Sequence, residues 1–326
     1  MVKSFPREVD VPRKARLAVD IVIPVFNEAG VVEIGHKSLR AVIDRLPHTF
    51  TICYVDDGST DGTADSLAGL AAADKRVRIV ELSRNFGHQA ALTAGIDAST
   101  GQAVITMDCD GQHPPELIPQ MIDLLMQGYD IVQGQRVDDA RTGTFKSVTS
   151  RAFYRLLNSI SGTRVEPGAA DFRAMSRQAV DALKAMPESH KFLRGMISWM
   201  GYRSVILPYH ESQRIGGKSK YSIAKMIRLA MDAIFSFSLV PLYIGLSMGG
   251  VLLCMAFFEI LYLLSFWVTG QTSTLAPGWS SLMFVVLTSA GMLMVMLGFV
   301  GVYVGYIFQE VKRRPVYLVR KGKPND

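Results

Sequence analysis

Apolar runs of strand length recur through the first part of the chain: VDIVIPVF (19–26), TICYVD (51–56), VRIVEL (77–82), AVITMD (103–108) and DIVQGQ (130–135). Between them lie segments with helical spacing of apolar residues, such as 60–72, 88–99 and 116–127. Strands that are apolar throughout, alternating with helices, predict an α/β fold: a mostly parallel sheet covered on both faces. Right-handed crossovers then carry the strands' carboxyl ends to one edge. After residue 136 the pattern loosens. Segment 141–163 is basic and amphipathic and fits either an interfacial helix or an ordinary surface helix; 222–238 invites the interfacial reading more strongly.

A second pattern takes over near the end. From Ser236 to Phe308 the only Asp, Glu, Lys, Arg or His is Glu259. Leu239 to Phe258 (extending to Val268) and Leu282 to Phe308 each exceed the roughly 20 apolar residues that span a bilayer. Two transmembrane helices are therefore expected. Their connection, 268–280, has no Lys or Arg, whereas Lys218, Lys220, Lys225 and Arg228 precede the first and Lys312, Arg313, Arg314, Arg320, Lys321 and Lys323 follow the second. That bias predicts a multi-pass protein of the inner (plasma) membrane with both termini and the large domain cytoplasmic. Glu259 is costly near lipid and is expected to be structural. The expected organisation is a catalytic domain over 1–221, a juxtamembrane helix over 222–238, two spans within 239–310 and a basic tail over 311–326.

Composition adds less. The net charge of +6 is modest, and much of the basic excess lies beside the spans, where anionic headgroups account for it. No nucleic-acid motif is present, so nucleic acid is not an expected partner. Arg13, Lys14 and Arg16 are followed by no apolar signal core. Cys53, Cys109 and Cys254 lack metal or disulfide spacing, as fits a reducing compartment.

The candidate chemistry lies at the strand ends. Each expected strand is followed by polar residues: Asn27 and Glu28; Asp56, Asp57, Gly58 and Ser59; Arg84 and Asn85; Asp108 and Asp110; Arg136. The carboxyl edge of an open α/β sheet is where ligands bind. Asp108 and Asp110, at i and i+2 as the chain leaves its strand, are able to converge on one hard divalent cation that also takes phosphate oxygens. A solvated acidic turn is the plainer alternative.

In order along the chain, IPVFNE, VDDGSTDGT, RNFGHQAALTAG, MDCDGQHPPELIP, GYDIVQGQR, ADFRAMSR and GGKSKYS, followed by the paired apolar segments, resemble the family 2 glycosyltransferases of GT-A fold. The resemblance is to their polyprenyl-phosphate branch, which includes dolichyl-phosphate mannose synthases and bactoprenol glucosyltransferases of O-antigen modification. It implies that Pro24, Phe26, Asn27 and Glu28 wall the nucleotide base and ribose, although the family often has Tyr at Phe26. Asp57 resembles the uracil-side carboxylate, the alternative being a turn residue bonding its own backbone. Asn85, Gly87, Asp108 and Cys109 fall in the nucleotide-sugar site, and His88 either caps a helix or touches ligand. Asp108, Asp110 and Gln112 match the metal and diphosphate triad; the family string has Leu at Gly111 and often Ala at Cys109.

The resemblance further places Arg136 near the reacting phosphates, and Asp171 and Arg173 near sugar and acceptor, with an edge-strand structural role as the alternative for the last two. Arg214, Lys218 and Lys220 fit a flap over the acceptor phosphate or a merely solvated face. Asp110, Arg136 and Asp171 are the expected catalytic residues. The implied reaction is inverting transfer of a hexose, glucose being favoured over mannose or aminoarabinose, from a UDP-sugar to undecaprenyl phosphate with Mg²⁺ or Mn²⁺. A phosphate monoester, with its second pKa near about 6, needs no strong base. The rival readings are a non-catalytic lipid-binding scaffold, a component of a lipid-linked-sugar flippase and a processive synthase; the last would carry further spans. Homo-oligomerisation is left open.

Overall fold

The computed structural model describes residues 16–137, 169–188, 191–210, 240–269 and 278–320. The expected helices over 141–163 and 222–238, and Arg214, Lys218 and Lys220, lie outside the described residues. The described residues fall into two compact units, an α/β unit that also takes in 315–320 and a helical unit.

The α/β unit follows the strand–helix alternation: β1 (Ala18–Val25), α1 (Val32–Ile43), β2 (Thr49–Asp56), α2 (Thr63–Ala73), β3 (Val77–Glu81), α3 (His88–Ala98) and β4 (Ala103–Thr106). A 3₁₀ turn (Pro115–Leu117), α4 (Ile118–Met126) and β5 (Ile131–Arg136) follow, then β6 (Ala169–Ser176), α5 (Arg177–Ala185), α6 (Leu193–Trp199) and β7 (Ser204–Tyr209). Among the described residues, seven strands form the sheet, in the order β3-β2-β1-β4-β6-β5-β7. Only β6 runs antiparallel, against β4 and β5. The α/β fold with a mostly parallel sheet is as expected. The edge-strand reading of Asp171 and Arg173 is overturned: β6 is interior, and β7, which the pattern did not reveal, is the edge.

Burial explains the arrangement. Seven of the eight residues of β1 are buried, as a strand covered on both faces requires. In α1 the buried residues Val32, His36, Leu39 and Ile43 keep the helical period. They join Ile21, Ile23, Ile52, Ile105, Met121, Ile122 and Phe172 in one core. Each such Ile or Leu contributes about 1.5–3 kcal/mol by leaving water. Gly95 lets α3 press on the sheet: a Cβ there would meet Val22 Cγ1 at 2.2 Å. This close approach fixes where the start of α3 emerges.

A polar network buttresses β2 from behind. His36 Nδ1 lies 3.1 Å from the Tyr54 hydroxyl, and Asp74 accepts from Arg76 Nη2 at 2.8 Å. The Arg76 hydrogen bonds, against the cost of burial, hold the Asp74 carboxyl down at about 2, below its ordinary 3.8. Burial pushes His36 below 6.5, so the folded state favours the neutral ring. The unfolded chain therefore binds more protons than the folded one, and stability falls with acid. His36 begins the loss below pH 6.5; Asp74 adds about 2 kcal/mol as the pH falls from roughly 4 towards 2. Thermal melts across this range should show Asp74→Asn flattening the steeper limb below pH 4; an unchanged limb would contradict the assignment.

The helical unit contains α7 (Val240–Thr269, 30 residues) and α8 (Trp279–Lys312, 34 residues). By length and composition, one segment among the described residues, Thr288–Lys312 in α8, is able to cross a membrane. The second expected span is not established by that measure and is carried into the proposal below.

Candidate active site

Parallel pairing puts the carboxyl ends of β1, β2, β3 and β4 at one sheet edge. Because β6 is reversed, its beginning reaches that same edge: Arg173 stands opposite Thr106 in the register, and Thr106 Oγ1 donates to the Asp171 carbonyl at 2.7 Å. The topology thus gathers Asn27, Asp57, Asp108, Asp110 and Asp171, which are dispersed in sequence.

The first two loops are tied together. Asn27, at φ 53°, donates its N–H to Ser59 Oγ at 3.0 Å and accepts from Thr60 N at 2.8 Å through Oδ1. Glu28 N donates to Thr63 Oγ1 at 2.9 Å. Asp56 holds its own turn by accepting from Ser59 N at 2.9 Å. Asp57 reaches further: its two oxygens accept from Phe86 N at 2.7 Å and Gly87 N at 2.9 Å. Burial raises the Asp57 carboxyl above its ordinary value, with those two amides opposing. Each carboxylate oxygen has a further lone pair beyond the one that accepts from an amide. Pro24 is buried within β1 at the point where β4 pairing has ended, so its missing N–H breaks no ladder bond. Phe26 is half-buried and Asn85 exposed at their loop positions.

The acidic tip follows β4. Asp108 is about one-third exposed, while Asp110 is buried and accepts from Gln112 N at 3.1 Å. Gly111, at φ 82°, makes that tight return in the left-handed region, which explains glycine where the family has leucine. Cys109 turns the other way: its thiol is buried in the core and donates to Glu28 Oε2 at 3.5 Å. His113, not foreseen from sequence, accepts from Asp108 N through Nδ1 at 2.9 Å and stacks on Phe172 with centroids 5.1 Å apart. It fixes the backbone of the first acid.

Opposite the tip, Asp171 is 6% exposed and densely bonded. Arg194 donates to both oxygens, at 3.1 and 3.0 Å, Arg173 Nη2 to Oδ1 at 2.9 Å, and His88 Nε2 lies 3.2 Å from Oδ2. Burial would raise this carboxyl, but Arg194, His88 and Arg173 outweigh it and hold it well below the usual range. Desolvation likewise disfavours charged His88, yet the Asp171 hydrogen bond and the Asp108 and Asp171 charges lift it to about 9. His88 Nε2 is 3.8 Å from Asp108 Oδ1, so the ring bridges the two acidic groups. Arg194 was not legible from sequence; its partner lies 23 positions away. Arg136 ends β5 at the same edge and is exposed.

Two carboxylates separated by one residue, at a strand end, are a hard oxygen donor set. Among the described residues no three His, Cys, Asp or Glu side chains form a cage for an ion. Asp108 and Asp110 supply oxygen donors of the class that hard divalent cations take.

Residues 20–183 match the family described as Glycosyl transferase family 2. An uncharacterized glycosyltransferase of Bacillus subtilis (strain 168), YkcC, is 38% identical over 93% of both chains. A prophage-derived bactoprenol glucosyl transferase of Shigella flexneri is 35% identical over 94% of this chain and 98% of its own. Among solved structures, a mannosyltransferase from Pyrobaculum calidifontis in complex with GDP-Man and Mn²⁺ is 18% identical, covering 92% of this chain and 90% of its own, with a TM-score of 0.44. With its GT-A type α/β sheet, and a match that extends over half its length in the family and nearly all of it in the relatives, the chain belongs to glycosyl transferase family 2.

Proposed function

We propose that the chain transfers a hexose, with glucose favoured, from a UDP-sugar to a polyprenyl phosphate such as undecaprenyl phosphate, with inversion, at the cytoplasmic face of the plasma membrane. The observation that carries this reading is the meeting, at one sheet edge, of the Asp57 loop, the Asp108–Asp110 tip and the charged cluster on Asp171. The near-full-length likeness to a bactoprenol glucosyl transferase supports the lipid acceptor and the sugar. Two spans, α7 and α8, would keep the enzyme on the surface where that acceptor resides.

Asp108 and Asp110, with Gln112 closing the turn, would hold Mg²⁺ or Mn²⁺ against the donor diphosphate. When bound, the ion acts as a Lewis acid that neutralises charge on the departing diphosphate. Asp57 offers an acceptor to the uracil imide, and the half-buried Phe26 offers ring packing beside it. Asp171, depressed and fully engaged, is a poor proton acceptor. It would act as a positioning residue, holding Arg194 and, beside Asp108, His88. The lipid phosphate arrives already ionised near neutrality, so direct displacement at the anomeric carbon needs no protein base. Arg136, with the basic residues Arg214, Lys218 and Lys220, would hold that phosphate in line.

The test is an assay of the purified full-length protein with undecaprenyl phosphate and a panel of labelled UDP- and GDP-sugars. UDP release and lipid-linked glucose, both dependent on the added lipid phosphate, are expected. Product from mannose or aminoarabinose donors alone would overturn the sugar, lipid-independent UDP release would overturn the lipid acceptor, and the absence of turnover with every donor would overturn the reaction in favour of a scaffold or flippase component.

A further inference from the structure

The sheet's outer strand on the nucleotide side, β3, is not left open at its carboxyl end. Leu82 pairs antiparallel with Val319; Ser83 N donates to the Leu318 carbonyl at 2.8 Å, and Arg320 N to the Glu81 carbonyl at 2.8 Å. The same segment reaches α3 as well, where the Tyr317 hydroxyl donates to Asp97 Oδ2 at 2.9 Å. Burial and the Asp97 charge raise the Tyr317 phenol, which keeps it a donor across the working pH range. Leu318 and Val319 are 54% and 50% exposed. Hydrophobic burial therefore accounts for little of this docking, and the two main-chain hydrogen bonds and the tyrosine hydroxyl hold it.

The β3 ties adjoin one loop, and the Tyr317 tie holds the far end of the helix that the loop enters. Residues 83–87 leave β3 beside the Leu82–Val319 bridge and enter α3, whose last turn is held by Tyr317. Within the loop, Phe86 N and Gly87 N are the two donors that hold the Asp57 carboxylate. Position is thus passed from the chain after α8, through the loop, to Asp57.

We propose that residues 317–320 are positioning residues for the nucleotide half of the site: as an added edge segment they fix loop 83–87 and so set the affinity for the nucleoside diphosphate. The nucleotide part rests on the donor reading above; the loop part does not. The segment follows α8 in the chain yet belongs to the α/β unit, so residues remote in sequence from β3 would support the donor side.

Arg320→Pro removes the N–H that bonds Glu81, whereas Arg320→Ala loses the same side chain and keeps it. Both are made in the full-length protein and compared in detergent. In ligand-free Arg320→Pro, hydrogen exchange at Phe86 and Gly87 should quicken about tenfold relative to Arg320→Ala, with UDP binding weakened roughly five- to tenfold. The KM for undecaprenyl phosphate should not move. Tyr317→Phe, a milder change that retains the ring, should shift both readouts in the same direction and serves where the proline variant does not fold. Exchange rates in Arg320→Pro and Tyr317→Phe equal to their references would overturn the proposal. Faster exchange with unaltered UDP affinity would overturn its nucleotide part. Failure of the wild-type chain to bind UDP would instead defeat the donor reading, leaving the exchange comparison to decide the loop.

Discussion

Asp110→Asn is expected to lower sugar transfer about a thousandfold or more, the equivalent of roughly 4 kcal/mol of transition-state stabilisation. The substitution preserves size, and the amide oxygen still accepts from Gln112 N, so the turn should survive. On the proposed reading, what is lost is one anionic oxygen of the pair that would hold the cation against the donor diphosphate. Initial rates at saturating Mg²⁺ or Mn²⁺, paired with a melting curve, separate chemistry from folding. Wild-type rates in a normally folded variant would refute the metal assignment.

Asp171→Asn should have the second large effect, on stability as well as rate. Arg173 is 2% exposed, and its Nε has no hydrogen-bond partner among the described residues. Burial already lowers the guanidinium pKa to about 10 despite the Asp171 charge. Without that carboxylate, a buried cation stands uncompensated, at a cost of about 3–5 kcal/mol. Arg173→Met in the same chain should restore a good part of the loss, because it removes the stranded charge. Denaturant midpoints of the wild type, the single variant and the double variant make the comparison. A single variant within 1 kcal/mol of wild type, judged against this range of buried pairs, would show that Asp171 is not what keeps Arg173 charged in the interior.

β1, β2 and β4 were readable because their apolar runs are nearly unbroken, the mark of parallel strands covered on both sides, and β3 and β5, which carry more polar residues, from their alternation with helical segments. β6 was harder. ADFRAMS carries an acid and a base in the sheet interior, and sequence polarity resembles that of an exposed edge. Only the pairing of Asp171 with Arg173, Arg194 and His88 makes such a strand tolerable at the centre. The acidic tip was legible because its two aspartates are close in sequence and follow a strand. His113 and Arg194 were not, because one acts through a backbone N–H and the other through a partner on a different element. The segment after α8 reads as a basic tail from its charges; its pairing at the β3 edge depends on main-chain groups, which any sequence possesses.

The left-handed Asn27 and its bonds to Ser59 and Thr60 bear on how a ligand is met. Two loops that would otherwise wander separately are already locked together by the fold, so the entropy of ordering them is spent before any encounter. On the proposed reading, a nucleotide would meet a surface here that is already ordered, and less of its binding energy would go into arranging these two loops.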